Sequence, residues 1–259
     1  PTHCEPGQAA NGAGLLMGGV SRLSQNGAKV HHHMGVAAFA EYTVAHRGSM
    51  VKVDSSLPFE EAALFGCAVL TGVGAVVNTA KVSAGSTVAV VGLGGVGLNS
   101  VLGAVLSGAR EIIALDIHDD KLQMAKQLGA TAIVNAKDAD AIQQVKELTK
   151  GGVDFAFEMA GSVHAMELAY RITRRGGTTV TAGLPNPDAR WQMQHVNLTA
   201  EERTIKGSYM GSSIAARDVP RYVSLYQQGK LPVNKLMSER LKLEDINAGF
   251  DRLASGHTV

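Results

Sequence analysis

The chain has 259 residues, a formal net charge of +1 and 45% hydrophobic residues, which suits a packed α/β protein of one or two domains. The near-neutral charge argues against nucleic acid and membrane surfaces as partners, and no apolar stretch approaches the roughly 18 residues of a spanning helix. Cys4 and Cys67 are too few for a disulfide framework, so we expect a protein of the reducing cytoplasm.

The first part of the chain predicts structure of a different character from the rest. Residues 1–30 are rich in glycine and predict a long surface loop. Residues 36–45 and 50–53 predict strands of a small antiparallel sheet. Pro58 is suited to the first turn of a helix that continues through residues 60–64.

Apolar strands alternate with helical segments between residues 87 and 210, which is the pattern of βαβ units on a parallel sheet. Six parallel strands with right-handed crossovers give a doubly wound fold, whose ligand crevice lies at the carboxyl ends of the strands. Two further helices are predicted around residues 221–228 and 243–254. The first strand leads into Gly92, and the others are predicted at residues 111–116, 131–135, 153–158, 178–183 and 204–208.

A glycine-rich turn at residues 88–97, VAVVGLGGVG, is the most specific motif of the chain. In such a strand–turn–helix, Gly92 permits the tight turn, Gly94 lets the backbone approach a pyrophosphate, and Gly97 lets the helix pack against the strand. The free amides at the start of the helix favour phosphate. Asp116, about 20 residues further on, would accept hydrogen bonds from ribose hydroxyls and repel a 2′-phosphate, which predicts NAD rather than NADP.

Other residues have ordinary structural explanations when they are taken alone. Cys67, in its apolar setting, is typical of a small buried hydrophobe. Thr71 and Val96 are compatible with simple packing. Adjacent strand residues point to opposite faces, so the three consecutive histidines at residues 31–33 cannot all bind one metal ion, and an exposed loop or strand end is favoured there.

Short motifs that follow one another along the chain point to a family. They are Gly66-Cys67, Thr71-Gly-x-Gly74, residues 78–82 (NTAKV), the glycine turn, Gly152-Val-Asp154, Glu158-x-Ala-Gly161, Arg174-x-Gly-Gly177 and Lys206-Gly-Ser208. With them the chain resembles the zinc-dependent medium-chain alcohol dehydrogenases, near the branch that includes the glutathione-dependent formaldehyde dehydrogenases. The resemblance covers nearly the whole chain and is most specific between residues 66 and 116.

The resemblance implies a six-stranded Rossmann domain together with part of a mostly β, GroES-like catalytic domain. Residues 1–68 would belong to the catalytic domain, residues 69–211 would form the NAD-binding domain, and residues 212–259 would return to the catalytic domain. The resemblance also implies a homodimer or homotetramer whose subunits pair through the edge strand around residues 200–210.

The resemblance further implies that NAD and Zn²⁺ are the cofactors and that a small-molecule alcohol or aldehyde is the substrate. Cys67 would be a ligand of the catalytic zinc, and Cys4 aligns with the last of four cysteines in a structural zinc lobe. Zinc would act as a Lewis acid on the substrate oxygen while hydride passes between the substrate carbon and the nicotinamide.

The same resemblance assigns residues to the nucleotide. Thr71 and Val96 would lie against the nicotinamide, and Gly95 belongs to the turn that receives the pyrophosphate. Lys121 would bind the adenosine ribose beside Asp116.

The other zinc ligands of the family fall upstream of residue 1, so we expect an internal fragment of a longer enzyme that is inactive alone. Two alternatives stay open: a zinc-free NAD(P)H reductase of the same superfamily, and a nucleotide-binding module with a structural or regulatory role. Cys67 and Asp116 argue against the zinc-free NADPH-linked reductase, because such an enzyme needs no zinc cysteine and prefers a basic residue near the ribose.

Overall fold

The structure is a computed structural model that describes residues 4–36 and 38–256. Ahead of the main sheet, a short helix and a hairpin are followed by two helices. These elements are α1 (Glu5–Gly12), β1 (Leu23–Gln25), β2 (Ala28–Val30), α2 (Phe59–Ala62) and α3 (Ala68–Gly74), the last of which continues as a π-helical turn over Ala75–Ala80.

The main sheet and its helices occupy the rest of the chain. They are β3 (Thr87–Val91), α4 (Gly95–Leu106), β4 (Glu111–Asp116), α5 (Asp119–Gln127), β5 (Ala132–Asn135), α6 (Ala141–Thr149), β6 (Val153–Glu158), α7 (Val163–Ile172), β7 (Thr173–Thr181), α8 (His195–Ala200), β8 (Thr204–Gly207), α9 (Ala215–Gln227) and α10 (Ile246–Ala254). All six strands pair in parallel, in the order β5-β4-β3-β6-β7-β8. The prediction of six parallel strands is therefore confirmed, and the strand order reverses between β3 and β6, where doubly wound sheets bind their ligands.

Strand β3 is buried on both faces, which explains its unbroken apolar sequence. Side chains alternate along a strand, and accordingly Val88 and Val90 pack in the cluster that contains the buried residues of α3, α4 and α9. Ala89 and Val91 pack in a second cluster with the buried residues of α6 and α7. Helices thus cover both sides of the sheet, and the core consists of two layers.

The region before residue 58 differs from its prediction. Residues 1–30 were expected to form a loop, but from residue 4 onward they include α1 and the antiparallel β1–β2 hairpin. The described residues of 36–45 form no strand, and neither do residues 50–53. Ala37 lies outside the described residues. An alternating pattern forms a strand only beside a partner strand, and His33 with Val36 makes just an isolated bridge here.

No single helix in the described part of the chain is long and apolar enough to cross a membrane. The helical segments Phe59–Gly66 and Ala68–Ala80 reach the length and apolar composition of a membrane span only when they are taken together, and they are bent by 50° relative to each other. Most of the second part is buried in the protein core.

Candidate functional site: a nucleotide crevice

The three glycines of the turn after β3 have three different environments. Gly92 has a φ of +91°, and a Cβ atom there would lie 2.7 Å from the Cβ of Ala160. A Cβ on Gly97 would overlap the carbonyl oxygen of Gly92. By contrast, a Cβ on Gly94 would meet nothing within 4 Å. Two of the glycines are therefore needed for the turn and for helix packing, while the third faces open space that a pyrophosphate can occupy.

Helix α4 begins at this turn without a side-chain cap, because its N-cap residue is Gly94. The first backbone hydrogen bond at this end of the helix runs from the Leu98 amide to the Gly94 oxygen, 2.9 Å away. The amides of Gly95, Val96 and Gly97 have no backbone acceptor among the described residues. Free amides and the positive end of the helix dipole make this a good environment for phosphate oxygens.

Asp116 ends β4, next to the turn, and is only 8% exposed. Its Oδ2 atom accepts a hydrogen bond from the Leu93 amide at 2.7 Å, and its Oδ1 atom accepts one from the His118 amide at 3.0 Å. A carboxylate oxygen has a second lone pair, so both oxygens can still accept from a ribose diol. Lys121 lies in the first turn of α5 and is also buried.

Helices α3 and α4 are in close contact, and this contact brings the two predicted nicotinamide neighbours together. A Cβ on Gly72 would overlap the Val96 oxygen. Ser100 Oγ donates across the contact to the Gly72 oxygen at 3.2 Å. Thr71, the residue before Gly72, is buried and directs its hydroxyl towards the Met210 sulfur, 3.8 Å away. Thr71 and Val96 are thus held near each other beside the glycine turn.

Cys67 precedes α3 and is a free, exposed cysteine. Its residue-level interpretation as a buried hydrophobe is therefore wrong. The next residue, Ala68, has its Cβ 3.6 Å from the point where a Cβ on Gly95 would lie. Cys67 consequently precedes the helix whose first residue lies against the glycine turn.

The described residues do not fit a complete metal site. No group of three or more histidine, cysteine, aspartate or glutamate side chains within residues 4–36 and 38–256 is placed to hold a metal ion. Cys4 is a second free cysteine, at the start of α1. Among the three adjacent histidines, His32 is buried and accepts from the Arg22 amide at 3.3 Å, whereas His31 and His33 are exposed. A tetrahedral zinc site needs three or four such ligands together.

A buried polar network fastens the π-helical turn after α3 to helix α9. Asn78 Nδ2 donates to the hydroxyl of Tyr222 at 3.4 Å and to a carboxylate oxygen of Asp218 at 3.5 Å. Burial opposes the ionisation of Asp218, but hydrogen bonds from Arg217 and the Ile214 amide, with the charge of Arg217, outweigh it and lower the pKa of this carboxyl. The network fixes α3 behind the crevice.

One further side chain, not assigned from the sequence, lies at the carboxyl ends of the strands. Glu158, at the carboxyl end of β6, is buried and accepts hydrogen bonds from Ala160, Gly161 and Thr181. It belongs to the Glu158-x-Ala-Gly161 motif. Its position at the end of a strand, beside the reversal of strand order, is the sequence feature that points to the crevice.

The chain is similar in sequence to plant alcohol dehydrogenases. It is 38% identical over 250 residues to alcohol dehydrogenase 1 of Oryza sativa subsp. indica, covering 95% of this chain and 66% of the relative. It is 38% identical over 242 residues to alcohol dehydrogenase 1 of Trifolium repens, covering 92% and 63% respectively. The chain thus spans slightly less than two thirds of the length of these curated relatives.

Solved structures agree with this similarity. The structure of an alcohol dehydrogenase zinc-binding domain protein from Burkholderia ambifaria matches with a TM-score of 0.89 and 31% identity, over 100% of this chain and 73% of that chain. Benzyl alcohol dehydrogenase from Acinetobacter calcoaceticus matches with a TM-score of 0.88 and 31% identity over the same shares. The family model described as zinc-binding dehydrogenase matches residues 95–228, about half of the chain. This chain belongs to the zinc-dependent medium-chain alcohol dehydrogenase family.

Proposed function

We propose that this chain is the nucleotide-binding part of an NAD-dependent alcohol dehydrogenase that interconverts an alcohol with an aldehyde or ketone. The observation that carries the proposal is the open space at Gly94, in front of the unpaired amides at the start of α4. NAD bound there would accept the hydride that leaves the alcohol carbon. The chain's own part is to hold the pyrophosphate on backbone amides and the nicotinamide near Thr71 and Val96.

The preference for NAD over NADP rests on Asp116. The Leu93 and His118 amides hold its carboxylate at the edge of the turn, where it would accept hydrogen bonds from the two ribose hydroxyls. A 2′-phosphate would bring like charges together at this point, which disfavours binding. Lys121, early in the following helix, completes the ribose-binding group of the proposal.

Cys67 is the one residue of this chain that we propose as a ligand of a catalytic zinc ion. A zinc ion bound by a complete ligand set would polarise the substrate oxygen. The exposed Cys67 thiol has the chemistry of one such ligand, whereas Cys4 is the proposed remnant of a structural site. The described residues bring no set of three donors together. We therefore propose that the 259-residue chain binds NAD but does not oxidise alcohols by itself.

The same observation supports a second candidate, a nucleotide-binding module with a structural or regulatory role. That module would bind the nucleotide through the same amides and would need no metal ligands. The third candidate, a zinc-free NADPH reductase, is less well supported, because Asp116 opposes a 2′-phosphate and Cys67 would have no function in it.

The proposed assembly and location follow from further features. Strand β8 pairs only with β7 and is the last strand of the described sheet, so its outer backbone groups can pair with a second copy. A homodimer or homotetramer formed through this edge, around residues 200–210, is our proposal. Both cysteines are free, which suits the cytoplasm. The substrate would be a small alcohol or aldehyde, with neither nucleic acid nor membrane as a partner.

Calorimetric titration of the folded 259-residue chain with NADH and, separately, with NADPH tests the proposal. We expect NADH to bind, and NADPH to bind more weakly by about tenfold, which corresponds to about 1.4 kcal/mol. Circular dichroism establishes that the protein used is folded. A folded chain that releases no heat with either nucleotide would refute the proposed function.

A further inference from the structure

We infer that Glu158 is a positioning residue that fixes the two walls of the crevice where β3 and β6 lie side by side. The inference rests on the proposed function in one respect only, namely that the crevice holds a nicotinamide nucleotide. It assigns to this carboxylate no contact with the reacting atoms.

Glu158 is 1% exposed, and its carboxylate accepts hydrogen bonds from the loop after β6 and from the last residue of β7. Its Oε1 atom accepts from the amides of Ala160 at 2.9 Å and Gly161 at 2.6 Å, in the loop that follows β6. Its Oε2 atom accepts from the hydroxyl of Thr181 at 2.7 Å, at the end of β7. One side chain therefore connects the loop after β6 to the end of the neighbouring strand β7.

The loop after β6 lies directly against the glycine turn. A Cβ on Gly92 would be 2.7 Å from the Cβ and 2.8 Å from the nitrogen of Ala160. The Met159 amide donates to the Val91 oxygen at 2.8 Å, which continues the β3–β6 pairing up to this point. The loop that Glu158 holds is therefore one side of the space at the topological reversal.

The segment that follows β7 also lies close to the loop after β6. A Cβ on Gly183 would overlap the backbone of Gly161 and would lie 2.6 Å from the Oε2 atom of Glu158. The carboxylate therefore lies close to both the loop after β6 and the segment after β7.

Burying a carboxylate is costly unless its oxygens are well paired. Glu158 has no ion pair with any described residue, so its neighbours stabilise it through hydrogen bonds alone. Those donors belong to the walls of the crevice, and the carboxylate therefore serves to hold these walls in place. A glutamine can make the same contacts. Its oxygen accepts from the two amides, and its NH₂ group donates to the Thr181 hydroxyl, because a hydroxyl can accept a hydrogen bond as well as donate one.

Four variants of the 259-residue chain test the inference: Glu158→Gln, Glu158→Ala, Thr181→Val and, as a matched control, Glu167→Gln. Glu167 is an exposed glutamate on α7 that pairs with Arg171 at the surface. The readouts are NADH affinity by fluorescence titration, hydrogen–deuterium exchange of the amides at residues 159–162, and the melting temperature.

We expect the glutamine variant to bind NADH within about threefold of wild type, and the alanine variant to bind at least about tenfold more weakly, because its loop amides lose their acceptor. Exchange at Ala160 and Gly161 should accelerate in the alanine variant. Thr181→Val removes one of the three contacts, so we expect an intermediate loss of affinity. The control should match wild type. If the alanine variant does not fold, Thr181→Val provides the same test with a smaller perturbation.

Wild-type NADH affinity in folded Glu158→Ala, or in Thr181→Val where the former does not fold, would overturn the inference. A glutamine variant as defective as the alanine variant would also overturn it, because charge rather than hydrogen bonding would then be the cause. Loss of melting temperature with unchanged affinity and exchange would indicate a merely structural role. If wild type binds no nucleotide, the proposed function fails, and exchange at residues 159–162 still decides whether Glu158 holds the loop.

Discussion

The carboxylate of Asp116 accepts a hydrogen bond from the Leu93 amide at 2.7 Å, which joins the end of β4 to the turn that follows β3. The residue proposed to recognise the ribose therefore also orients the turn proposed to bind the pyrophosphate. Its second oxygen accepts from the His118 amide at 3.0 Å. Changes at Asp116 should accordingly affect both the choice of nucleotide and the stability of the turn.

Replacing Asp116 with glycine should weaken NAD binding more than NADP binding, because the ribose acceptor and the like-charge repulsion disappear together. The loss of acceptors for the Leu93 and His118 amides should also lower the free energy of unfolding by about 1–3 kcal/mol. Asp116→Asn is the control, since the oxygen of the asparagine side chain can still accept a hydrogen bond from the Leu93 amide. Calorimetry with both nucleotides and urea unfolding measure the effects. Equal losses of affinity for NAD and NADP would contradict the assigned role.

Two glycine-to-alanine substitutions in the turn should have opposite consequences. A Cβ on Gly97 would overlap the Gly92 oxygen, so Gly97→Ala should destabilise the folded chain by about 1–3 kcal/mol or more. A Cβ on Gly94 meets nothing within 4 Å. Gly94→Ala should therefore keep the wild-type melting temperature but weaken NADH binding, because its methyl group occupies the proposed pyrophosphate space.

Thermal melting and NADH titration of both variants separate these effects. Folded Gly94→Ala with wild-type NADH affinity would show that the pyrophosphate does not lie at this turn.

The doubly wound sheet could be predicted because its signals are local. Strands β3 to β6 are short runs rich in apolar residues, the crossover rule fixes handedness, and the glycine pattern marks the switch point. Helix faces were predictable except near their ends. Leu98, Val101, Leu102 and Val105 recur at helical spacing in α4; the first three are buried, whereas Val105, in the last turn, is 44% exposed. Its side chain lies close to Gly129, just after α5.

Features that depend on distant parts of the chain could not be predicted. The pattern in residues 36–45 resembles a strand, but a strand also needs a partner, which a local pattern does not reveal. The exposure of Cys67 depends on how α3 packs against α4. The role of Glu158 depends partly on Thr181, which lies beyond α7 in the chain. Here tertiary contacts, rather than local sequence preferences, decide the structure.

Asp218 should contribute to stability in a pH-dependent way. Although burial opposes its ionisation, the Arg217 guanidinium and the Ile214 amide lower the pKa of Asp218 below its ordinary value. Its contribution is therefore complete above the unfolded pKa of about 4 and is lost as the pH falls through the lower folded pKa. We expect Asp218→Asn to lower the free energy of unfolding by about 1–3 kcal/mol at neutral pH. The difference from wild type should shrink below about pH 3.

Urea unfolding of wild type and variant at neutral and acid pH measures that difference. Asp188→Asn, in an exposed turn, is a suitable control because its change removes no buried contact. An Asp218→Asn effect of the same size at both pH values would contradict the predicted role of ionisation.

Metal analysis of the purified 259-residue chain should find well under one tightly bound zinc per molecule. Cys67 is exposed and Cys4 is partly exposed, and the described residues place no group of three donors around an ion. One thiolate cannot complete the tetrahedral coordination that gives zinc sites their affinity. Cys67→Ser should therefore leave the zinc content after dialysis unchanged. Emission spectrometry of both proteins provides the measurement, and one zinc per wild-type chain that disappears in Cys67→Ser would show that this cysteine already belongs to a complete site.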